Sequence, residues 1–302
     1  MGQSGRGMSA SPPRGVETEL RRAGSKPAPI ETILVALDGS HFSERALLVA
    51  VPLAEQLGAR LFLFSAVANE DEANDRLGRL SDLRPRGIPT EIDVLPDPDP
   101  ADAIDTLLRD LGNAVACIAS HGRGRTAAVL GSVANEVVRR RRQPTILVGP
   151  AFSRERVGRG VVACVDETPP SARVLPFALR WSELLDETLT VITVAEPVPP
   201  PISPGAVPHR RFGPDTDVEP YLERLVAPLR EDGHEIHTKA VYDPVSPASG
   251  LRHYLWDSPS SLVAVGSHLR RGLPRSVFGS VAASVVRQSS VPVLLVPRPD
   301  VE

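Results

Sequence analysis

From residue 30 onward the chain alternates short apolar runs with stretches whose apolar positions recur at helical spacing. The first run, ILVAL at residues 33–37, is apolar at every position and stops at Asp38, as a strand buried on both faces of a parallel sheet would. Residues 43–57 then place Ala46, Leu47, Val49, Ala50, Leu53, Ala54 and Leu57 along a helix, and Gly58 marks its end. RLFLFSAV predicts a second strand, followed by a polar helical stretch. TEIDVL predicts a third strand and residues 100–111 a helix. AVACIAS, SVANEVVRRR and TILVGP complete the series as strand, helix and strand. Strands alternating with helices predict a mostly parallel sheet with right-handed crossovers. Ligands of such sheets collect beyond the carboxyl ends of the strands, at the topological switch point. Asp38 and the loop ASHGRGRTAAVLGS both follow strand ends and so can meet there.

The second half repeats this order. VVACVDETPPSARVLPFALRWSELL matches ILVALDGSHFSERALLVAVPLAEQL, LTVITVAEP matches ARLFLFSAVAN, SLVAVGSHLRRG matches AVACIASHGRG, and VPVLLVP matches PTILVGP. Asp38 recurs as Asp166 and Gly131 as Gly279. The main insertion, PVPPPISPGAVPHRRFGPDTD, is expected to form a surface loop. The chain is therefore expected to carry a disordered tail over residues 1–29 and two domains over residues 30–150 and 159–298.

Composition narrows the function. The 302 residues suffice for two domains, and 34 basic against 37 acidic residues give a net charge of −3. That balance argues against a general nucleic-acid or membrane-surface partner. No run of 18 apolar residues suggests a membrane span, and the N-terminal stretch lacks a signal-peptide core, so a soluble cytoplasmic protein is expected. Cys117 and Cys164 sit in apolar runs and read as core thiols. No cluster has metal-ligand spacing, and no G-x4-G-K-[ST] is present.

These features together resemble the universal stress protein family: Asp after the first strand, Ser-His after the fourth, Gly-Ser opening the last helix, and a closing apolar strand, all found twice. The resemblance covers about residues 30–297. It implies two tandem doubly wound α/β domains, each a five-stranded parallel sheet with helices on both faces, of the adenine-nucleotide alpha-hydrolase-like kind. It also implies an adenine nucleotide, ATP or another, with Mg²⁺ arriving alongside. Nucleotide-binding members resemble G-x2-G-x9-G-[ST]. In the first copy the implied positions are Ala36, Leu37, Asp38, Val67, Ala119, Gly122, Gly131, Ser132 and Val133. In the second they are Val165, Asp166, Gly266, Gly279, Ser280 and Val281. Both copies depart from the pattern. Ala119 replaces the first glycine, and eight residues, not nine, separate Gly122 from Gly131. In the second copy Leu269 replaces the second glycine.

Amide groups of a Gly-rich loop and the positive end of a helix suit a phosphate. Gly-Ser is equally a plain helix cap, and Asp38 and Asp166 are equally capping residues. Thr168 reads as an N-cap with Pro169 at the first helical position. His121 and His268 read as loop-structuring residues, since no second catalytic group is placed nearby. The implied role is a stress- or dormancy-response regulator, not an enzyme, with slow ATP turnover left open. The alternative is an interaction or dimerisation module whose nucleotide sites have degenerated. The closing strands are apolar edges, and such edges pair. The two halves are therefore expected to join through them as an internal pseudo-dimer, with a homodimer and other protein partners left open.

Overall fold

The structure is a computed structural model that describes residues 27–120, 131–140, 143–166, 171–195, 218–243, 245–267 and 280–297. In the first half the strands are β1 (Thr32–Ala36), β2 (Arg60–Val67), β3 (Thr90–Pro96), β4 (Ala114–Ala119) and β5 (Thr145–Val148). Its helices are α1 (His41–Glu44), α2 (Leu47–Leu57), α3 (Glu70–Asp82), α4 (Pro100–Asp110) and α5 (Ser132–Arg140). The second half carries β6 (Val161–Cys164), β7 (Leu189–Ala195), β8 (Ile236–Tyr242), β9 (Leu262–Gly266) and β10 (Val293–Val296). Its helices are α6 (Val174–Leu185), α7 (Val218–Glu231), α8 (Pro247–Asp257) and α9 (Ser280–Gln288).

The ten strands form one sheet in the order β3-β2-β1-β4-β5-β10-β9-β6-β7-β8. Each half is parallel throughout. The halves meet where β5 and β10 run antiparallel, with Leu147 opposite Val293 and Ile146 opposite Leu294. The closing strands are thus the centre of the sheet, and β3 and β8 are its edges. Pairing consumes two apolar edges that would otherwise be exposed.

Residue alternation along each strand sends side chains into two buried layers. On one face α2, α3, α6 and α7 cover Ile33, Val35, Leu61 and Leu63 together with their second-half counterparts. On the other face α4, α5, α8 and α9 cover Leu34, Phe62, Phe64 and Ala116 with theirs. Each layer runs unbroken from one half into the other. At the seam the backbone of Gly149 lies so close to α9 that a Cβ there would sit 1.8 Å from the Val286 carbonyl oxygen.

The helix expected over residues 43–57 is two helices. Ser40 caps α1 by accepting the Ser43 N–H, so the helical path starts earlier. The Arg45 and Ala46 amides then donate to the Phe42 and Ser43 carbonyls, tightening the backbone before α2 resumes. Gly58 closes α2 in the left-handed conformation, as its position indicated. Cys117 is fully buried, and burial pushes its thiol up to about 12. Cys164 keeps partial exposure at the end of β6, so it is not the wholly buried thiol its apolar run suggested. The Pro-rich insertion and the N-terminal tail fall almost wholly outside the described residues.

Candidate ligand crevice at the switch point

Strands β1 and β4 are neighbours, with Ala36 opposite Ile118. The chain leaves β1 toward the face covered by α2 and leaves β4 toward the face covered by α5. Their connections therefore diverge and open a crevice at the carboxyl edge of the sheet. Asp38 and Ser120 each lie two residues beyond that paired register, at corresponding heights.

The Asp38 loop is built from its own polar groups. The Leu37 N–H donates to the Phe64 carbonyl (2.8 Å). Asp38 Oδ1 accepts from the Ser40 amide (2.9 Å) and hydroxyl (2.5 Å). The Asp38 amide donates to Ser43 Oγ (3.2 Å), whose hydroxyl donates to the Ser40 carbonyl (2.8 Å). Between them Gly39 has φ +77°, a backbone region that L side chains avoid. A prop lies underneath. Arg76 of α3 is buried, and its guanidinium carbon would be 2.8 Å from a Cβ on Gly39. That guanidinium donates to Ser65 Oγ (2.8 Å) and to Glu72 Oε1 (3.0 Å). Arg79 Nη2 adds a bond to the Gly39 carbonyl (3.1 Å).

Across the crevice, Ala119 ends β4 opposite Val148, and the Ser120 amide donates to the Val148 carbonyl (2.9 Å). The Gly131 N–H donates to the Ser120 carbonyl (2.6 Å). It thereby ties together the two ends of the loop over residues 121–130, which lies outside the described residues with Gly122 and His121. Ser132 opens α5 and is exposed, and Val133 is half-buried beside it. A helix start leaves its first amides without intrahelical acceptors, and these point where an anion would sit. Of the sequence-predicted set, Ala36, Leu37, Asp38, Val67, Ala119, Gly131, Ser132 and Val133 lie at the carboxyl ends of β1, β2 and β4 or at the start of α5.

Behind α5 stands an ion-pair network. Arg140 bonds Asp99 Oδ2 (2.8 Å), Asp102 Oδ1 (3.3 Å) and Glu136 Oε1 (2.7 Å), fixing α5 to α4. Arg139 and Arg140 hold the Glu136 carboxyl down at about 2, with Arg139 the larger cause.

The second half repeats the geometry with different parts. Cys164 lies opposite Val265, so Asp166 and Ser267 stand where Asp38 and Ser120 stand. The Asp166 amide donates to Ser171 Oγ (3.0 Å), and that hydroxyl donates to the Asp166 carbonyl (2.7 Å). The prop here is Tyr221 of α7, whose hydroxyl also donates to the Asp166 carbonyl (2.6 Å). Val165 is tied to the Ile192 carbonyl (2.9 Å). Gly266 ends β9, where an added Cβ would make only ordinary contact with Val174. Among the described residues the buried Ser267 hydroxyl has no hydrogen-bond partner. Val281, in the first turn of α9 beside Ser280, is exposed. Gly279, His268, Leu269, Thr168 and Pro169 lie outside the described residues.

Arg76 and Tyr221 were not anticipated. Arg76 occupies the apolar stripe of α3 between Ala73 and Leu80, and that misplaced charge is the signal that could have found it. The paired serines could have been found from DGSHFS and DETPPS, which share the Asp-to-Ser spacing. Among the described residues no group of three His, Cys, Asp or Glu could hold a metal ion. No described helix is long and apolar enough to cross a membrane.

The order β3-β2-β1-β4-β5, repeated and joined through its last strand, defines a tandem doubly wound α/β protein with one crevice per half. A model of the universal stress protein family matches residues 29–149 and again 159–297, and the chain belongs to that family. Its fold is that of the adenine-nucleotide alpha-hydrolase-like proteins. Among solved structures it is similar to a universal stress protein from Archaeoglobus fulgidus DSM 4304, with 17% identity and a TM-score of 0.61 over 89% of this chain and 98% of that one. A putative universal stress protein from Pseudomonas aeruginosa UCBPP-PA14 is similar too, with 18% identity and a TM-score of 0.56 over 91% and 95%. No curated protein matches the chain.

Proposed function

We propose that this protein is a cytoplasmic, non-catalytic regulator of a stress or dormancy response that binds an adenine nucleotide in the crevice of its first half. One observation carries the reading: Asp38 and the start of α5 flank the point where the connections of β1 and β4 diverge. A carboxylate acceptor suits ribose hydroxyls or an adenine amino group, and helix-start amides suit phosphates. Ala36, Leu37, Val67, Ala119 and Val133 would line the base and sugar, and Gly122, Gly131 and Ser132 the phosphates. The residues fit with one restriction. The Gly131 amide is committed to the Ser120 carbonyl, so the helix start contributes chiefly through Ser132 and Val133. ATP with Mg²⁺ is the nucleotide favoured, since a triphosphate carries the anionic groups that helix-start amides suit.

In the second half Val165, Asp166, Gly266, Gly279, Ser280 and Val281 would play the matching parts more weakly. The buried Ser267 hydroxyl offers a donor there, but Tyr221 already draws on the Asp166 backbone. The closed Gly131–Ser120 link favours one other reading: an interaction module with vestigial crevices, acting through protein partners or a homodimer.

A thermal-shift panel with ATP, ADP, AMP and cyclic AMP, with and without Mg²⁺, tests the proposal. A nucleotide that binds the folded state raises the melting temperature, by about 2.7 kcal/mol of stabilisation at a hundredfold excess over Kd. No shift with any nucleotide at millimolar concentration would favour the interaction module.

A further inference from the structure

A cavity of about 290 Å³ lies at the amino-terminal edge of the sheet, away from both Asp loops, where the first half meets α6 of the second. Leu108, Phe177 and Trp181 supply apolar wall, and Arg109, Asn113 and Arg180 supply polar groups. The charges of this lining are not equally answered. Arg109 is paired with Asp105 (3.3 Å), and the Asn113 amide donates to Glu31 (3.3 Å). Arg180 has no ion pair among the described residues. Its Nη2 donates to the Ala28 carbonyl (2.9 Å), while its Nε is buried without a hydrogen-bond partner among the described residues. Glu183, one turn further along α6, is turned instead to His234 (3.2 Å). Burial alone lowers the Arg180 pKa, with no carboxylate offsetting it.

A half-buried guanidinium whose Nε is shielded from water without a counter-charge is costly, and such a group is well placed to meet an anion. The fold does not require it. In the repeat, Phe177, Arg180 and Trp181 stand where the first half has Val49, Pro52 and Leu53. The cation and its two aromatic neighbours belong to this one side of the molecule.

We propose that this cavity binds a small organic carboxylate with an apolar body, its carboxylate accepting from the Arg180 guanidinium. Arginine presents donors in a planar fork that matches a carboxylate. The aromatic and aliphatic wall then covers the body of the ligand, as in small-molecule sites generally. A bare phosphate or sulfate would leave that wall unused. Because the lining comes from both halves, the ligand would also clamp them at the edge remote from the nucleotide crevice.

Benzoate is the probe, and Trp181 reports its arrival. The other tryptophan, Trp256, is stacked under Arg156 on α8 and is removed by Trp256→Phe. Titration of the full chain with benzoate at constant ionic strength should give a saturable change in emission. Benzamide, the neutral isostere, should bind at least tenfold more weakly, as should benzoate to Arg180→Leu, with Arg180→Lys intermediate. Absence of a saturable change overturns the proposal. So does equal binding of benzoate and benzamide, or displacement of benzoate by inorganic phosphate at matching concentration. If Arg180→Leu fails to fold, the benzoate–benzamide contrast on the otherwise native chain decides alone.

Discussion

Asp38 and Asp166 leave the sheet at matching points of the repeat, and each amide is held by a serine at the same spacing, Ser43 or Ser171. Below that shared clamp the two halves diverge. The first half presses the buried guanidinium of Arg76 flat against Gly39, anchored by Ser65 and Glu72. The second half places the hydroxyl of Tyr221 on the Asp166 carbonyl. The helices beyond differ as well. Arg140, backed by Glu136 within α5, ties that helix to Asp99 and Asp102 at the start of α4, whereas the corresponding positions of α9 are Gln288 and Ser284. Among the described residues one architecture thus carries a guanidinium brace and an ion-paired helix in the first half and a tyrosine brace in the second. Preorganisation of this kind lowers the ordering cost of binding, which supports the proposed placement of the nucleotide in the first half.

The largest effect expected lies at the seam. Gly149→Val puts a branched side chain onto the Val286 carbonyl, which cannot yield without moving α9. It should cost about 3 kcal/mol or more in urea unfolding. Pro297→Ala, at the equivalent buried position of the other half, should cost under about 1 kcal/mol. Equal costs would mean that the seam is more symmetric than the close approach at Gly149 indicates.

Next come the two props. Arg76→Met strands the buried Ser65 hydroxyl and unseats Gly39, for a loss of about 2 kcal/mol. Tyr221→Phe removes the hydroxyl from a carbonyl that keeps Ser171, for about 1 kcal/mol or less. A Tyr221→Phe loss as large as that of Arg76→Met would erase the contrast between the loops.

The smallest effect is electrostatic. Glu136 titrates at about 2 when folded, against an ordinary 4.5, so its contribution is complete above about pH 4.5 and fades as pH falls toward 2. Ser284 offers no such titration. Glu136→Gln should flatten the acid limb of a stability–pH curve slightly, the group being partly exposed, while Ser284→Ala should leave its shape unchanged.

Much of this was legible in the sequence because burial writes itself into hydropathy. Doubly covered strands read as unbroken apolar runs, and two copies in one order exposed the repeat and the pairing of β5 with β10. That Asp38 and the loop beginning at Ala119 can meet at the carboxyl edge followed from strand ends alone. The props did not follow. Arg76 sits in a helix so polar that its one inward charge is lost among outward ones, while Leu77 next to it is exposed. Tyr221 follows an insertion that breaks the match between the repeats, so nothing aligned it with Arg76. The break at Arg45 was hidden because α1 and α2 share an apolar periodicity across it.

The central claim is that one crevice, the first, carries the nucleotide site. Isothermal titration calorimetry with ATP and Mg²⁺ on the full chain, Asp38→Ala and Asp166→Ala tests it most directly. The account predicts one site per chain, weakened at least tenfold by Asp38→Ala and little changed by Asp166→Ala. Two equal sites, or a single site lost only with Asp166→Ala, would contradict it.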